Sequence, residues 1–420
     1  MGDAERNMGP GMLLVSANVG SIFEDPDNML PVWLKEFLST INRVRPQFIA
    51  MHCQEIGGKN YETSMQHVDV FLERLLSSEE MQGYDRARIF LDEDFKTVES
   101  FTALGSFYFV HESIRNASIY DWQARKFRSL SGREVYKGNI NSIPFKHKEK
   151  FPQDFFPNFR WSRKGFLRTR WSICDSIFDL VNIHLFHDAS NLIAVETWPS
   201  AYSNYRHRAL EHTLKRISED KHEKVPHFIF GDFNFRLDTQ SVVKSLCATA
   251  KEERIGNDGQ IKRLVYKEEG SENGKVVLTL EKKVFDHFNQ EVFINDFKWL
   301  HQFDKETKRF ADRLQELDIT FPPSYPFSED VREGRQYMKT RCPAWCDRIL
   351  LSQSARDLIQ RGDEYSPVYH VMGSNVCMGD HKPIYLYFRL VPDTARHIPR
   401  SRTHPNGFST VPLIIRETSV

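Results

Sequence analysis

Residues 227–236 read HFIFGDFNFR, an apolar run that stops at Gly231-Asp232 and then alternates Phe with Asn234 and Arg236. Such a run is a short buried strand, and its end delivers Asp232 and Asn234 into the loop that follows. The same grammar recurs on both sides. LLVSAN (13–18) delivers Asn18, and IAMHCQE (49–55) delivers Gln54 and Glu55. LVNIHLFH (180–187) delivers Asn182, His184 and His187, and CMGDHKP (377–383) delivers Asp380 and His381. An Asn or a Gly-Asp after a strand is by itself ordinary turn chemistry. Five strand ends of this kind in one chain point instead to polar groups held at the edge of a rigid sheet.

The intervening pattern supplies that sheet. Strand-like runs fall at 12–18, 48–54, 87–91, 101–110, 173–186, 225–230, 348–351 and 384–390, and helical periodicity at 32–44, 68–76, 205–217 and 240–250. Trp33, Leu34, Phe37, Leu38 and Ile41 make one helical face, and Pro46 ends that helix before the next strand. The elements alternate loosely, without the cadence of a parallel sheet, which predicts an α/β or α+β sandwich of sheets covered by helices. One domain spans 11–392. Within it 251–317 is charged and reads as a mostly helical insertion, while the Pro- and Arg-rich residues 393–420 read as a disordered tail.

Composition narrows the class. The 420 residues include 32 Phe, enough for a thick apolar interior, and 57 Lys+Arg balance 57 Asp+Glu. Zero net charge argues against nucleic acid, whose phosphate backbone needs a cationic face, yet allows a small basic pocket. The six cysteines are scattered, no secretory leader or membrane-spanning run is present, and the expectation is a cytoplasmic chain with free thiols. Cys342 and Cys346 lack the second pair that a zinc finger requires.

The polar strand ends are rich in oxygen donors and poor in thiolates, a set that suits Mg²⁺. Here a resemblance becomes specific. FGDFNFR (230–236) and PAWCDRIL (343–350) resemble the two signature motifs of the inositol polyphosphate 5-phosphatases, with GDHKP (379–383) and PPSY (322–325) as further landmarks of that family. The resemblance runs from Asn18 to Pro383 and is nearest to the type I branch. It implies the DNase I-like fold of two stacked sheets flanked by helices. It also implies Mg²⁺-dependent removal of the 5-phosphate from soluble inositol tris- and tetrakisphosphate, which ends an inositol phosphate and calcium signal.

By motif, the resemblance assigns Glu55 as principal Mg²⁺ ligand, with Asn18 beside it and Asp380 on the metal side. Asp232 orients or deprotonates the attacking water, and Asn234 holds that water or a phosphoryl oxygen. His381 pairs with the carboxylate of Asp347, and His184 stabilises charge on the transferred group. Phosphoryl transfer asks for positioning and charge neutralisation more than covalent help, so these residue types fit the chemistry. A polyanionic substrate calls for cations, and the candidates are Arg163, Lys164, Arg168, Arg170, Lys339, Arg341, Arg348 and Lys382, with Tyr337 to stack or hydrogen-bond. The family's lipid-acting members carry an Asn-Lys-Gly-Gly-like stretch where this chain has Arg163-Lys164-Gly165-Phe166, which favours soluble substrates.

Three alternatives compete with this reading: a nuclease or phosphodiesterase of the same fold, an inactive scaffold that only binds inositol phosphates, and a cysteine phosphatase. Cys342 and Arg348 have the Cys-x5-Arg spacing of the last, but Pro343 removes an N–H that a phosphate loop needs and no glycine follows. The terminus Thr418-Ser419-Val420 has no prenylation cysteine and fits a peptide that adds a strand to a PDZ domain, so membrane recruitment is expected through a partner rather than a lipid.

Overall fold

The structure is a computed structural model, and it describes residues 8–157, 162–257, 259–268, 274–362 and 366–391. The tail 393–420, with its PDZ-like ending, lies outside the described residues.

Two sheets stack face to face, and strands are numbered in chain order. The first runs β18 (Val368–Val371), β19 (Ile384–Arg389), β1 (Gly11–Asn18), β2 (Phe48–Gln54), β4 (Gly105–Val110), β3 (Arg86–Asp92), β7 (Arg133–Gly138). The second runs β16 (Leu314–Gln315), β17 (Asp347–Ser352), β11 (His227–Asp232), β10 (Ser176–His184), β9 (Gly165–Ile173), β5 (Ala117–Asp121), β6 (Lys126–Ser129), with β8 (His147–Lys150) also on β9. The run read as one strand over 173–186 is therefore the turn of a hairpin plus β10. Cys174 and Asp175, with φ of 47° and 62°, make that turn, and RKGFLRTR enters β9.

Each strand's pleat sorts its side chains. Met12, Leu14, Phe48, Ala50, Phe178, Leu180, Phe228 and Phe230 point between the sheets and form the central core. The opposite faces are covered by helices. Leu13, Val15, Ile49 and Met51 pack under α1 (Pro26–Val44) and α2 (His67–Ser77), through Trp33, Phe37, Ile41 and Phe71. Val181, Ile183, Ile229 and Leu350 pack under α4 (Ala201–Ser218), through Ala209, Leu210 and Leu214. Burial of such side chains, worth roughly 1.5–3 kcal/mol each, drives the layering. α3 (Asn191–Glu196) and α5 (Thr239–Leu246) pack against each other.

The segment expected to be helical is instead a third sheet, β12 (Ala250–Asn257), β13 (Gln260–Glu268), β14 (Val276–Glu281), β15 (Val284–His287). Short helical turns follow only from residue 291. The charges that resembled a solvated helix make cross-strand pairs, Lys267–Glu253 at 2.7 Å and Arg263–Glu281 at 2.6 Å. Leu264, Leu278, Leu280 and Phe285 meanwhile turn to the core.

Candidate active site

Register builds the site. In the second sheet Gly165, His184, Asp232 and Asp347 are successive cross-strand partners, one row at the end of β9, β10, β11 and β17. In the first sheet Asn18 pairs with Gln54, and Glu55 follows one residue later in a left-handed turn, φ 58°. The two rows face each other across the top of the sandwich, so a face that is Phe and Leu at its base becomes amide, imidazole and carboxylate at its rim.

Asp232 is the hub. Its Oδ1 accepts from Asn234 N at 2.8 Å; its Oδ2 accepts from Asn18 Nδ2 at 3.1 Å and Asn234 Nδ2 at 3.2 Å, and lies 3.2 Å from His184 Nε2. Burial alone would raise its pKa, but His381, His184 and Lys164 outweigh burial and hold the carboxyl well below the usual range. Asn234 sits at φ 51°, and its amide also donates to Leu185 O, so it braces Asp232 instead of reaching outward. Gly231 permits the close packing of β10 and β11: a Cβ there would meet Ile183 O at 1.9 Å.

On the far side of Asp232, His381 Nδ1 lies 2.9 Å from Asp347 Oδ2 and its Nε2 3.9 Å from Asp232 Oδ2. Asp347 Oδ2 also accepts from Ser324 at 2.7 Å, and the His381 ring packs on Tyr325. Burial disfavours the imidazolium, yet Asp347 and Asp232 prevail and push its pKa up to about 10. These three residues offer ligand atoms within 4.8 Å of one another. With His381 Nδ1 committed to Asp347, they form an Asp–His–Asp relay more readily than a metal cage.

Glu55 is set apart from that relay. Its carboxylate lies 3.8 Å from Arg163, 4.0 Å from Lys164 and 3.9 Å from His184 Nε2. Burial opposes its ionisation, but Arg163, Lys164 and His184 lower its pKa to about 2. An ionised carboxylate beside the Asn18 amide oxygen fits a hard divalent cation: a Cβ added at Gly20 would meet Glu55 Oε2 at 2.6 Å and Asn18 Oδ1 at 3.3 Å. Lys164 contacts His184 Nε2, and burial brings its own pKa down to about 8.

Several expected contacts are not made here. Asp380, assigned to the metal side, is instead engaged by Ser21 at 2.8 Å and Lys59 at 3.2 Å on the rim. Arg168 and Arg170 both bind Asp179, five residues down β10 from His184 and so roughly 17 Å away. Arg348 follows Asp347 directly, so the pleat turns it to the opposite face, where Asp304 and Glu316 hold it at 2.8 and 2.6 Å. Tyr337 donates to Pro323 O, and Lys382 Nζ donates to the carbonyls of Gly334, Gly373 and Val376. Lys339 is exposed on Asp286, and Arg341 donates to Asn191, Lys282 O and Asp188 O. The Cys-x5-Arg pattern builds no phosphate loop, since Cys342 is buried with a raised pKa and Arg348 is fully paired.

The structure adds Arg236, which had no assigned role. It lies over the Tyr325 ring at 4.5 Å and donates to Asn234, and its buried Nη1 has no hydrogen-bond partner among the described residues. Its position closing FGDFNFR was the available signal.

The sequence profile of the Endonuclease/Exonuclease/phosphatase family 2 matches residues 282–387. The chain is 55% identical over 401 residues to human inositol polyphosphate-5-phosphatase A, covering 94% of this chain and 97% of that one. It is 37% identical over 412 residues to a probable type I inositol 1,4,5-trisphosphate 5-phosphatase of Caenorhabditis elegans, covering 90% and 99%. Among solved structures it is similar to the inositol polyphosphate 5-phosphatase domain of SPsynaptojanin in complex with inositol (1,4)-bisphosphate and calcium. That match has a TM-score of 0.49 and 16% identity, over 92% of this chain and 87% of that chain. Near full-length identity to these relatives, joined to the Asp232-centred strand-end site, places the chain in the inositol polyphosphate 5-phosphatase family.

Proposed function

We propose that this inositol polyphosphate 5-phosphatase hydrolyses the 5-phosphate of soluble inositol 1,4,5-trisphosphate and 1,3,4,5-tetrakisphosphate with Mg²⁺, and so ends an inositol phosphate and calcium signal. The observation that carries it is the Asp232 hub. An ionised carboxylate, oriented by Asn18 and Asn234, lies between the His184 and His381 imidazoles. Asp232 orients a water and takes its proton as the water oxygen bonds to phosphorus; the bond to the inositol oxygen breaks, and that oxygen takes a proton from solvent. His381, kept cationic by Asp347, and Lys164 beside His184 face the phosphoryl oxygens and offset their growing charge. Glu55 with the Asn18 oxygen would hold Mg²⁺, which supplies further charge neutralisation when bound.

Arg163 and Lys164 bring positive charge to the Glu55 side, and Arg236 to the Tyr325 side, which suits a substrate phosphorylated at several positions. No helix of the described residues is long and apolar enough to cross a membrane. The test is turnover of the purified chain on inositol 1,4,5-trisphosphate. Inositol 1,4-bisphosphate and phosphate as products support the reading, and binding without product returns it to a scaffold.

A further inference from the structure

Glu55 and the Asp232–His184 pair belong to different sheets, so their separation depends on what ties the sheets together beneath them. Below the bond from Asn18 to Asp232 at the rim, two buried side chains do this. His52, three residues before Glu55, has Nδ1 at 3.2 Å from Phe230 O and Nε2 at 2.9 Å from Tyr108 OH. A carbonyl only accepts, so Nδ1 carries the proton and Tyr108 donates to Nε2. Burial keeps this imidazole neutral, with a pKa lowered to about 3.

Asn182 makes the more direct tie. It is fully buried on β10, two residues before His184, and crosses to the first sheet at the last β2–β4 pair, Cys53 with Gly105. Its Nδ2 lies 3.2 Å from Cys53 O, 3.0 Å from Gly105 O and 3.1 Å from Ser106 Oγ, and its Oδ1 accepts from Gln54 Nε2 at 2.9 Å. One amide therefore grips both residues that precede Glu55, where the chain leaves the sheet in a left-handed turn. Among the described residues, the contacts of Glu55 on the second sheet's side are loose: 3.8 Å to Arg163, 4.0 Å to Lys164 and 3.9 Å to His184 Nε2. An error in sheet separation thus passes straight to the distance between its carboxylate and Asp232.

We propose that Asn182 is a positioning residue that sets the separation of Glu55 from the Asp232–His184 pair, and through it the affinity of the site for a divalent cation. This rests on the reading of Glu55 as the metal carboxylate. Support from beyond the ligands themselves is commonly worth 10–100-fold in metal affinity or activity.

The test uses the full chain, with direct Mn²⁺ binding read by electron paramagnetic resonance beside the Mg²⁺ dependence of turnover. Asn182→Ser should weaken Mn²⁺ binding and raise the Mg²⁺ requirement about ten-fold or more, leaving substrate KM at saturating Mg²⁺ unchanged. In a Glu55→Gln background the same substitution should add no further loss. Gln54→Met, which removes the donor to Asn182 Oδ1 together with its 3.2 Å bond to His52 O, should produce a smaller shift in the same direction and serves if Asn182→Ser does not fold. A fall in thermal midpoint with Mn²⁺ affinity intact in the folded variants would reduce Asn182 to packing, and full additivity with Glu55→Gln would place its effect elsewhere; either overturns the proposal. If Glu55→Gln alone leaves Mn²⁺ affinity unchanged, the Glu55 reading itself fails and the proposal falls with it.

Discussion

Asp232 and Asp347 are cross-strand partners on β11 and β17, yet the site drives their carboxyls in opposite directions. Burial raises the pKa of Asp347 and outweighs the pull of His381, whereas at Asp232 the cationic neighbours outweigh burial and lower it. His381 stands between them, 2.9 Å from Asp347 and 3.9 Å from Asp232. His381, its pKa pushed up to about 10, keeps its proton at neutral pH, whereas Asp232 stays ionised beside it. Pairs pushed apart in this way divide acid from base within one site.

That division makes Asp232 and His381 sensitive in different ways. Both are buried, at 1% and 4% exposure, so isosteric changes are the cleaner probes. Asp232→Asn and His381→Gln should each lower turnover by about 10²–10⁴-fold with the circular dichroism spectrum retained. Near-normal turnover in either variant would remove that residue from the chemistry.

Lys382 adjoins His381 in sequence but serves the scaffold. Its ammonium donates to three carbonyls on two loops and lies over the Phe327 ring. Burial lowers its pKa to about 8, although three carbonyl acceptors favour the charged form and argue for less of a shift. Lys382→Met should cost about 3 kcal/mol in denaturant unfolding, the scale of charged hydrogen bonds left unmade. It should change KM equally for substrates with and without a 4-phosphate. A selective KM effect would return Lys382 to the substrate.

The strand ends were legible because a buried strand and the polar residue that follows it are contiguous in sequence. Asn18, Glu55, His184 and Asp232 announce themselves in that way, whereas Asp347 opens β17 and His381 lies three residues ahead of β19, and the signature motifs pointed to those two. Arg163 and Lys164 apart, the cations were not legible. Whether an arginine faces substrate or an internal carboxylate depends on partners far away in the chain: Arg348 is claimed by Asp304 and Glu316, and Arg170 by Asp179. Nor was the third sheet legible, because Lys267–Glu253 and Arg263–Glu281 satisfy across strands the same charges that would pair along a helix.

Gly231 is the least replaceable residue of FGDFNFR outside the reacting groups. An added Cβ would lie 1.9 Å from Ile183 O and 2.8 Å from Ile183 C, both backbone atoms of the neighbouring strand. Relief requires β10 and β11 to part at the His184–Asp232 pair. Gly231→Ala should cost about 1–3 kcal/mol in stability, as overpacking does, and lower turnover in the fraction that remains folded. Unchanged stability by denaturant titration would mean that the strands accommodate the methyl group freely.

The last prediction separates metal-assisted attack by water from a cysteine nucleophile. A thiol acts as a nucleophile only as thiolate, and burial raises the pKa of both Cys342 and Cys346. The arginine that would complete a Cys-x5-Arg loop is locked on Asp304 and Glu316, out of reach of a phosphate. Cys342→Ser should therefore keep most of the activity. Chelation with EDTA should stop turnover and added Mg²⁺ restore it, because Glu55, ionised down to a pKa of about 2, has its role only with a cation to hold. Glu55→Gln should raise the Mg²⁺ requirement or abolish turnover, since one of few carboxylate ligands loses its charge. A cysteine mechanism predicts the reverse: EDTA resistance, a phosphocysteine intermediate and complete loss in Cys342→Ser. Activity that survives EDTA and vanishes in Cys342→Ser would overturn the roles given to Glu55 and Asp232 together.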